Sequence, residues 1–186
     1  LQIAQDRKVT HLYVVPPILI ALAKHPVVSR FDLSSVRFVN SGAAPLAAST
    51  QIDAARRLNA VATQGYGMTE TSAAIAITPG QPDLVRAGSV GLLLPNMEAQ
   101  IVDPANGAAL GPNENGEIWV RGPNVMRGYL DNAAANAEAF RDGIWFHTGD
   151  IGHVDEDGYF YIVDRVKELI KYKGMQVAPA ELEALL

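Results

Sequence analysis

Seven consecutive residues, QGYGMTE from Gln64 to Glu70, combine groups that could hold a phosphate-bearing ligand. Gly65 and Gly67 carry no Cβ, so a ligand could approach the backbone closely there. Thr69 offers a hydroxyl to a phosphate, and Glu70 a carboxylate to Mg2+, a hard cation that takes oxygen ligands. A plain structural reading competes, in which the stretch is a glycine-rich turn with Thr69 or Thr71 capping a short helix. A lone G-x-G favours the turn; the whole string is far more specific.

Three further strings carry candidate chemistry. SGAAP, Ser41 to Pro45, has small side chains that would let a flat ring lie against the backbone, although by itself it reads as a tight turn with proline at the first helical position. HTGD ends on Asp150, which could accept hydrogen bonds from both hydroxyls of a ribose, and Arg165 offers a rigid fork to the same nucleotide. The alternative is a pair of surface charges on neighbouring strands, worth little. His147 reads as structural, since no partner stands near it in sequence. In KELIKYKGMQ, Lys167, Lys171 and Lys173 share one face if the segment is extended, followed by Gly174 and Gln176. Three like charges there require an anion opposite, or make a solvated edge strand that resists aggregation; the two readings stand level.

These strings sit at the ends of predicted elements. VTHLYVV, Val9 to Val15, predicts a buried strand, and Pro16 and Pro17 start a helix that ends near Pro26. A second strand is expected over Val36 to Gly42, then a helix from Pro45 to about Leu58, then a third strand leading into the glycine-rich string. This alternation predicts an α/β layer with a mostly parallel sheet, whose strand C-termini are where ligands bind. After about Pro79 the pattern changes to short strands, EAQIVD, GEIWVRG, WFHTGDIGHVD and YFYIVDRV, separated by Gly, Pro, Asn and Asp. They predict a β-rich subdomain, barrel-like or a meander, with Asp155 to Tyr159 as a hairpin turn in which Gly158 takes a positive φ. NAAANAEAF is expected as a surface helix, ELIKYKG as one more strand, and Pro179 as the start of a helix with Leu182, Leu185 and Leu186 on one face. Residues 1–85 are thus read as the α/β part and 86–164 as the β-rich subdomain of one large domain, with 165–186 opening a small α+β domain.

Bulk properties exclude several classes. A chain of 186 residues with 48% hydrophobic and 19% charged residues has an ordinary globular balance. Its net charge of -5 and scattered aromatics give no basic stripe or stacking platform, so nucleic acid and anionic membranes are not expected partners. No apolar run is long enough for a membrane span. No cysteine occurs, which removes disulfides and thiol chemistry and suits a reducing cytoplasm, where the chain is expected. The first residues lack an initiator Met and the last, PAELEALL, stop inside a predicted helix, so the chain is expected to be part of something longer.

Taken in this order, the strings resemble the adenylate-forming (acyl-activating) enzymes, and within them most closely the 4-coumarate-CoA ligase branch. The resemblance runs from VTHLYVVPPILIALAKHP to YKGMQVAPAELEALL, and QGYGMTE and KYKGMQVAPAELE belong to the CoA-ligase and luciferase side. It implies an ATP- and Mg2+-dependent reaction of a carboxylic acid, first to an acyl-adenylate and then, with coenzyme A, to a thioester. It also implies residue roles. Ala43 and Ala44 would line an adenine pocket, and Gln64, Gly65, Tyr66, Gly67 and Thr69 would touch the adenylate. Glu70 would meet Mg2+, while Asp150 and Arg165 would hold the ribose. Lys167 matches the family's hinge, Lys171 and Gln176 would act on the adenylate in different hinge states, and Lys173 and Gly174 would approach coenzyme A. Thr69, Lys171 and Gln176 are the residues for which catalytic roles are implied. The ligase branch tends to read Ala-Gly-Pro after the glutamate, where this chain has Thr71, Ser72 and Ala73, then Ala74; Ser72, Ala73 and Ala74 would line the acid pocket, leaving the acid itself open, aromatic or medium-sized. The family's phosphate loop would precede Leu1 and its adenylation lysine would follow Leu186, so the chain alone is expected to be inactive. A luciferase-like oxygenase and a non-catalytic nucleotide- or partner-binding module remain as alternatives, and the oligomeric state is open.

Overall fold

Strand β1 (His11–Val14) lies parallel to β2 (Phe38–Ser41), and β2 parallel to β3 (Val61–Tyr66), with His11, Phe38 and Val61 in register. The computed structural model describes residues 1–141, 143–167, 170–172, 175–177 and 179, of which the side chains of 170–172 and 175–177 fall outside the description. These residues form two units, the first being 1–66 with 76–91 and the second 67–75 with 92–186.

In the first unit, helix α1 (Gln2–Asp6) precedes β1, α2 (Pro16–Lys24) links β1 to β2, and α3 (Ala48–Leu58) links β2 to β3. Pro16 opens α2 because the first helical N–H has no partner to lose. Both crossovers carry apolar residues onto the sheet: Leu19, Leu22, Ala54 and Leu58 pack with Val36, Val39 and Ala62 in one buried cluster. The short strand β4 (Ala76–Ile77) pairs antiparallel with the end of β3.

One expected boundary is corrected. The helix after β2 begins at Ala48, three residues later than the proline pattern suggests, and Pro45 is not at its start. The reason is packing: Leu46 is 8% exposed in the core cluster, its carbonyl accepts the Gln64 amide at 3.3 Å, and Ala47 is extended with φ -61° and ψ 139°. Anchoring Leu46 this way keeps 45–47 out of the helix.

The second unit is an antiparallel meander of β6 (Glu98–Val102), β7 (Gly116–Arg121), β8 (Phe146–Val154) and β9 (Tyr159–Arg165), preceded by the short strand β5 (Gly91–Leu93). Along β7, Gly116, Ile118 and Val120 are buried and their neighbours half-buried, the period-two pattern of a sheet with one packed face. The β8–β9 hairpin turns where expected: Asp155 Oδ1 accepts the N–H of Asp157 at 3.0 Å and of Tyr159 at 2.9 Å, and Gly158 has φ 86°. Helix α4 (Ala133–Ala139) is capped by Asn132 and buries no residue, as a surface helix should. The chain is therefore α/β, a parallel layer followed by an antiparallel β-rich region.

After β9 the strand read in ELIKYKG is one arm of a hairpin. Lys167 lies in a turn, and two short strands follow, β10 (Ile170–Tyr172) and β11 (Met175–Val177), paired antiparallel with Lys171 opposite Gln176. Lys167 and Lys171 therefore do not share the face of one continuous strand. Lys173, Gly174, and the helix expected to carry Leu182, Leu185 and Leu186 lie outside the described residues.

Candidate functional site

In the first unit, Ala43 and Ala44 form an exposed bend just past the C-terminal end of β2. Ala43 has φ 76°, a left-handed conformation that costs a side-chain-bearing residue energy and that sits where sheet ligands bind. Gln64 lies at the equivalent end of β3 but is 3% exposed. Its amide donates to Gln51 Oε1 at 2.8 Å as well as to the Leu46 carbonyl. Gln51, unremarkable in the sequence, also donates to the Ala62 carbonyl at 2.8 Å and accepts the Gly88 N–H at 3.0 Å. The Gln64 side chain thus braces the bend before α3 from inside and presents no free amide. Gly65 is in a different situation: a Cβ there would meet only ordinary contacts, 3.5 Å from the Ala76 carbonyl. Packing within the unit does not require glycine at that position. Tyr66, half-buried, closes β3.

The second unit holds the rest of the glycine-rich string. Gly67 is obligatory, because a Cβ there would come within 1.9 Å of the Ala73 carbonyl oxygen and 2.6 Å of the Ala74 Cα. The loop folds back on itself at that point. Thr71 is buried and its hydroxyl is used locally, accepting the Met68 N–H at 3.3 Å and donating to the Met68 carbonyl at 3.1 Å. The capping reading therefore holds for Thr71, while Thr69, at the start of the same short 3-10 turn (Thr69–Thr71), is exposed. Glu70 is half-buried; Oε1 accepts the Tyr129 hydroxyl at 2.9 Å, and its carbonyl accepts the Met126 N–H at 2.7 Å. Burial, and then the neighbouring Glu70 carboxylate, push the Tyr129 hydroxyl above its ordinary pKa, so it remains a proton donor.

Asp150 and Arg165 occupy directly opposed positions on β8 and β9. Arg165 Nε stands 3.5 Å from Asp150 Oδ1, with the Asp150 side chain 10% exposed and that of Arg165 69%. The turn before Asp150 is well braced. Gly149 has φ 72°, its N–H donates to Glu117 Oε1 at 3.1 Å, and the other Glu117 oxygen accepts the Trp119 indole at 2.9 Å. Thr148 donates to the Ile118 carbonyl at 2.7 Å and accepts the Asp150 N–H at 3.1 Å. His147 stacks on Trp119 with ring centroids 3.8 Å apart, in keeping with a structural role. Lys167 is exposed beyond the end of β9.

Among the described residues no group of three or more His, Cys, Asp or Glu is assembled to hold a metal. Mg2+ ordinarily takes one or two carboxylates and completes its shell with substrate phosphates and water. Glu70, a carboxylate with only one oxygen bonded to Tyr129, fits that donor set. No helix among the described residues is long and apolar enough to cross a membrane. The residues sequence reading missed are the braces: Gln51, Glu117, Asn124 and Tyr129, each joined to a partner distant in sequence or hidden in the sheet.

The first unit is thus a parallel α/β layer with small-residue turns at its strand ends, and the second an antiparallel β-rich region that carries the braced Asp150–Arg165 pair. Residues 1–130 match the family of the AMP-binding enzyme, and the chain belongs to that family. It is 51% identical over 93% of its length to 4-coumarate-CoA ligase 2 of Narcissus pseudonarcissus, covering 31% of that protein. It is likewise 51% identical over 100% of its length to 4-coumarate-CoA ligase 1 of Arabidopsis thaliana, covering 34%. Among solved structures it is similar to the o-succinylbenzoate CoA synthetase of Bacillus subtilis. With ATP and magnesium bound, that protein matches at a TM-score of 0.82, 32% identity and 99% coverage of this chain, against 37% of its own. With its acyl-adenylate intermediate bound, the TM-score is 0.84, at 31% identity and 100% coverage, again against 37%. The chain spans about a third of the length of the curated relatives it matches.

Proposed function

We propose that the protein carrying this chain is an ATP-dependent carboxylate-CoA ligase, acting on aromatic, 4-coumarate-like acids or medium-sized ones. The observation that carries this reading is identity of 51% along the entire chain to a 4-coumarate-CoA ligase. In the first step a carboxylate oxygen attacks the α-phosphorus of ATP, the bond to the β-phosphate breaks, and pyrophosphate leaves. In the second the coenzyme A thiol, losing its proton, attacks the acyl carbonyl and AMP departs. Activation is needed because a carboxylate is a poor electrophile, and catalysis rests on positioning and stabilisation of phosphate charge.

In this reading Ala43 and Ala44 bind the adenine, and Gln64, Gly65, Tyr66, Gly67 and Thr69 bind the adenylate, Gln64 by bracing the backbone. Asp150 accepts from the ribose hydroxyls with Arg165 beside it, a role supported by its nearly buried, strand-fixed carboxylate. Glu70 would hold Mg2+, which when bound neutralises phosphate charge. Ser72, Ala73 and Ala74 meet the acid. Lys167 belongs to a hinge, Lys171 and Gln176 act on the adenylate, and Lys173 and Gly174 approach coenzyme A. Residues 1–85 and 86–164 form parts of the large adenylation domain and 165–186 the hinge and beginning of the smaller one. The chain alone, about a third of its relatives in length, is inactive. Lack of cysteine supports a place in the reducing cytoplasm.

Acid-dependent exchange of labelled pyrophosphate into ATP, without coenzyme A, tests the reading. Exchange with at least one aromatic or medium-chain acid is expected; none across a broad panel removes it.

A further inference from the structure

The turn from Thr71 to Ala74 is held in an unfavourable shape by a residue outside it. Ser72 and Ala73 have φ 50° and 83°, two successive residues with side chains in the left-handed region. Such a pair persists only when its surroundings fix it. Here the fixing group is Asn124, in the loop after β7. Its one side-chain amide donates to the Thr71 carbonyl at 2.8 Å and to the Ala74 carbonyl at 2.9 Å, the two carbonyls that flank the left-handed pair. The Ser72 hydroxyl returns a bond to the Asn124 carbonyl at 2.9 Å. Gly122 lets the loop come this close, since a Cβ there would meet Met97 Sδ at 2.4 Å and Asn124 Oδ1 at 3.2 Å.

We propose that Asn124 is a positioning residue that fixes the left-handed turn at Ser72 and Ala73 and thereby determines which carboxylic acids the enzyme accepts. The inference rests on the reading of Ser72, Ala73 and Ala74 as acid-binding. An amide clamping two carbonyls sets where the intervening side chains stand, and a looser turn changes the shape offered to the acid.

The test uses the protein carrying this chain with Asn124→Ala, and with Asn124→Asp, which keeps the shape but turns oxygen toward both carbonyls. Values of kcat and KM are measured over a panel of aromatic and aliphatic acids, with the KM for ATP alongside. Two lost hydrogen bonds predict at least ~10-fold higher KM for the favoured acid and a changed order of preference, with the KM for ATP within about twofold. A fall shared equally by all acids and ATP would overturn the inference, as would an unchanged order. Ala74→Val tests acid binding by the turn independently of Asn124. If it reorders the panel while the Asn124 variants do not, Asn124 has no such role; if it leaves the order intact, the acid-binding reading fails and the inference with it. Should both Asn124 variants misfold, Asn124→Ser, which is too short to span both carbonyls, must shift the order in part, and no shift overturns the proposal.

Discussion

The Tyr129 hydroxyl donates to Glu70 Oε1 at 2.9 Å across 59 positions of sequence. Tyr129 is in turn held by Asn136, which accepts its N–H at 2.6 Å and donates to its carbonyl at 2.9 Å. The pair fixes one carboxylate oxygen and leaves the other available. Tyr129→Phe is therefore expected to lower stability by only about 1 kcal/mol, the scale of one partly exposed hydrogen bond. It should raise the Mg2+ concentration for half-maximal pyrophosphate release several-fold. A magnesium titration that is unchanged would reduce the pair to a structural contact.

Asp150→Ala should weaken ATP and AMP binding by at least ~10-fold, since hydrogen bonds to a charged acceptor are worth about 1.5–3 kcal/mol. Arg165, 69% exposed, adds little to stability through its pair, so Arg165→Ala is expected to move the melting temperature much less than nucleotide affinity. Calorimetry with AMP decides: unaltered affinity in Asp150→Ala rules out the ribose assignment.

Gly67→Ala forces a methyl group into a space where the Ala73 carbonyl oxygen would lie 1.9 Å away. The loop must open, at a cost of about 1–3 kcal/mol by the usual scale of overpacking. Adenylation should fall with it, and wild-type melting together with wild-type pyrophosphate release would show that the loop does not close as described.

His153 gives a pH dependence. It stacks on Tyr161 at 4.9 Å, meets Asn115 Oδ1 at 2.8 Å, and burial holds its pKa below the ordinary value, opposed by the charge of Asp155. A histidine with a depressed folded pKa binds its proton more readily when unfolded. Its contribution is present above the unfolded pKa of about 6.5 and is lost as pH falls below it. Urea midpoints measured between about pH 5 and 8 should therefore decline on the acid side, and the decline should be shallower in His153→Gln. Identical profiles would contradict the assignment.

Much of the framework was legible in the sequence because it is local. Pro16 starts α2, β7 alternates by twos, and Asp155 with Gly158 makes the hairpin turn by short-range chemistry. The start of α3 departs from the proline signal because a buried Leu46 overrides Pro45. The braces were illegible for a different reason. Asn124 reaches the Thr71 carbonyl over 53 positions and Gln51 reaches Gln64 over 13, and no periodic pattern reports a side-chain hydrogen bond to so distant a partner. Motif strings pointed to candidate contacts but not to how they are held: Gln64 turned out to be tied down internally, and Glu70 to be shared with Tyr129.

The most direct test of the central claim is to incubate the protein carrying this chain with ATP, Mg2+ and a panel of acids, with and without coenzyme A, and quantify products by mass spectrometry. One AMP and one pyrophosphate per acyl-CoA are expected with coenzyme A, and acyl-adenylate without it. ATP turnover that yields no acyl-adenylate and no thioester with any acid would contradict the claim.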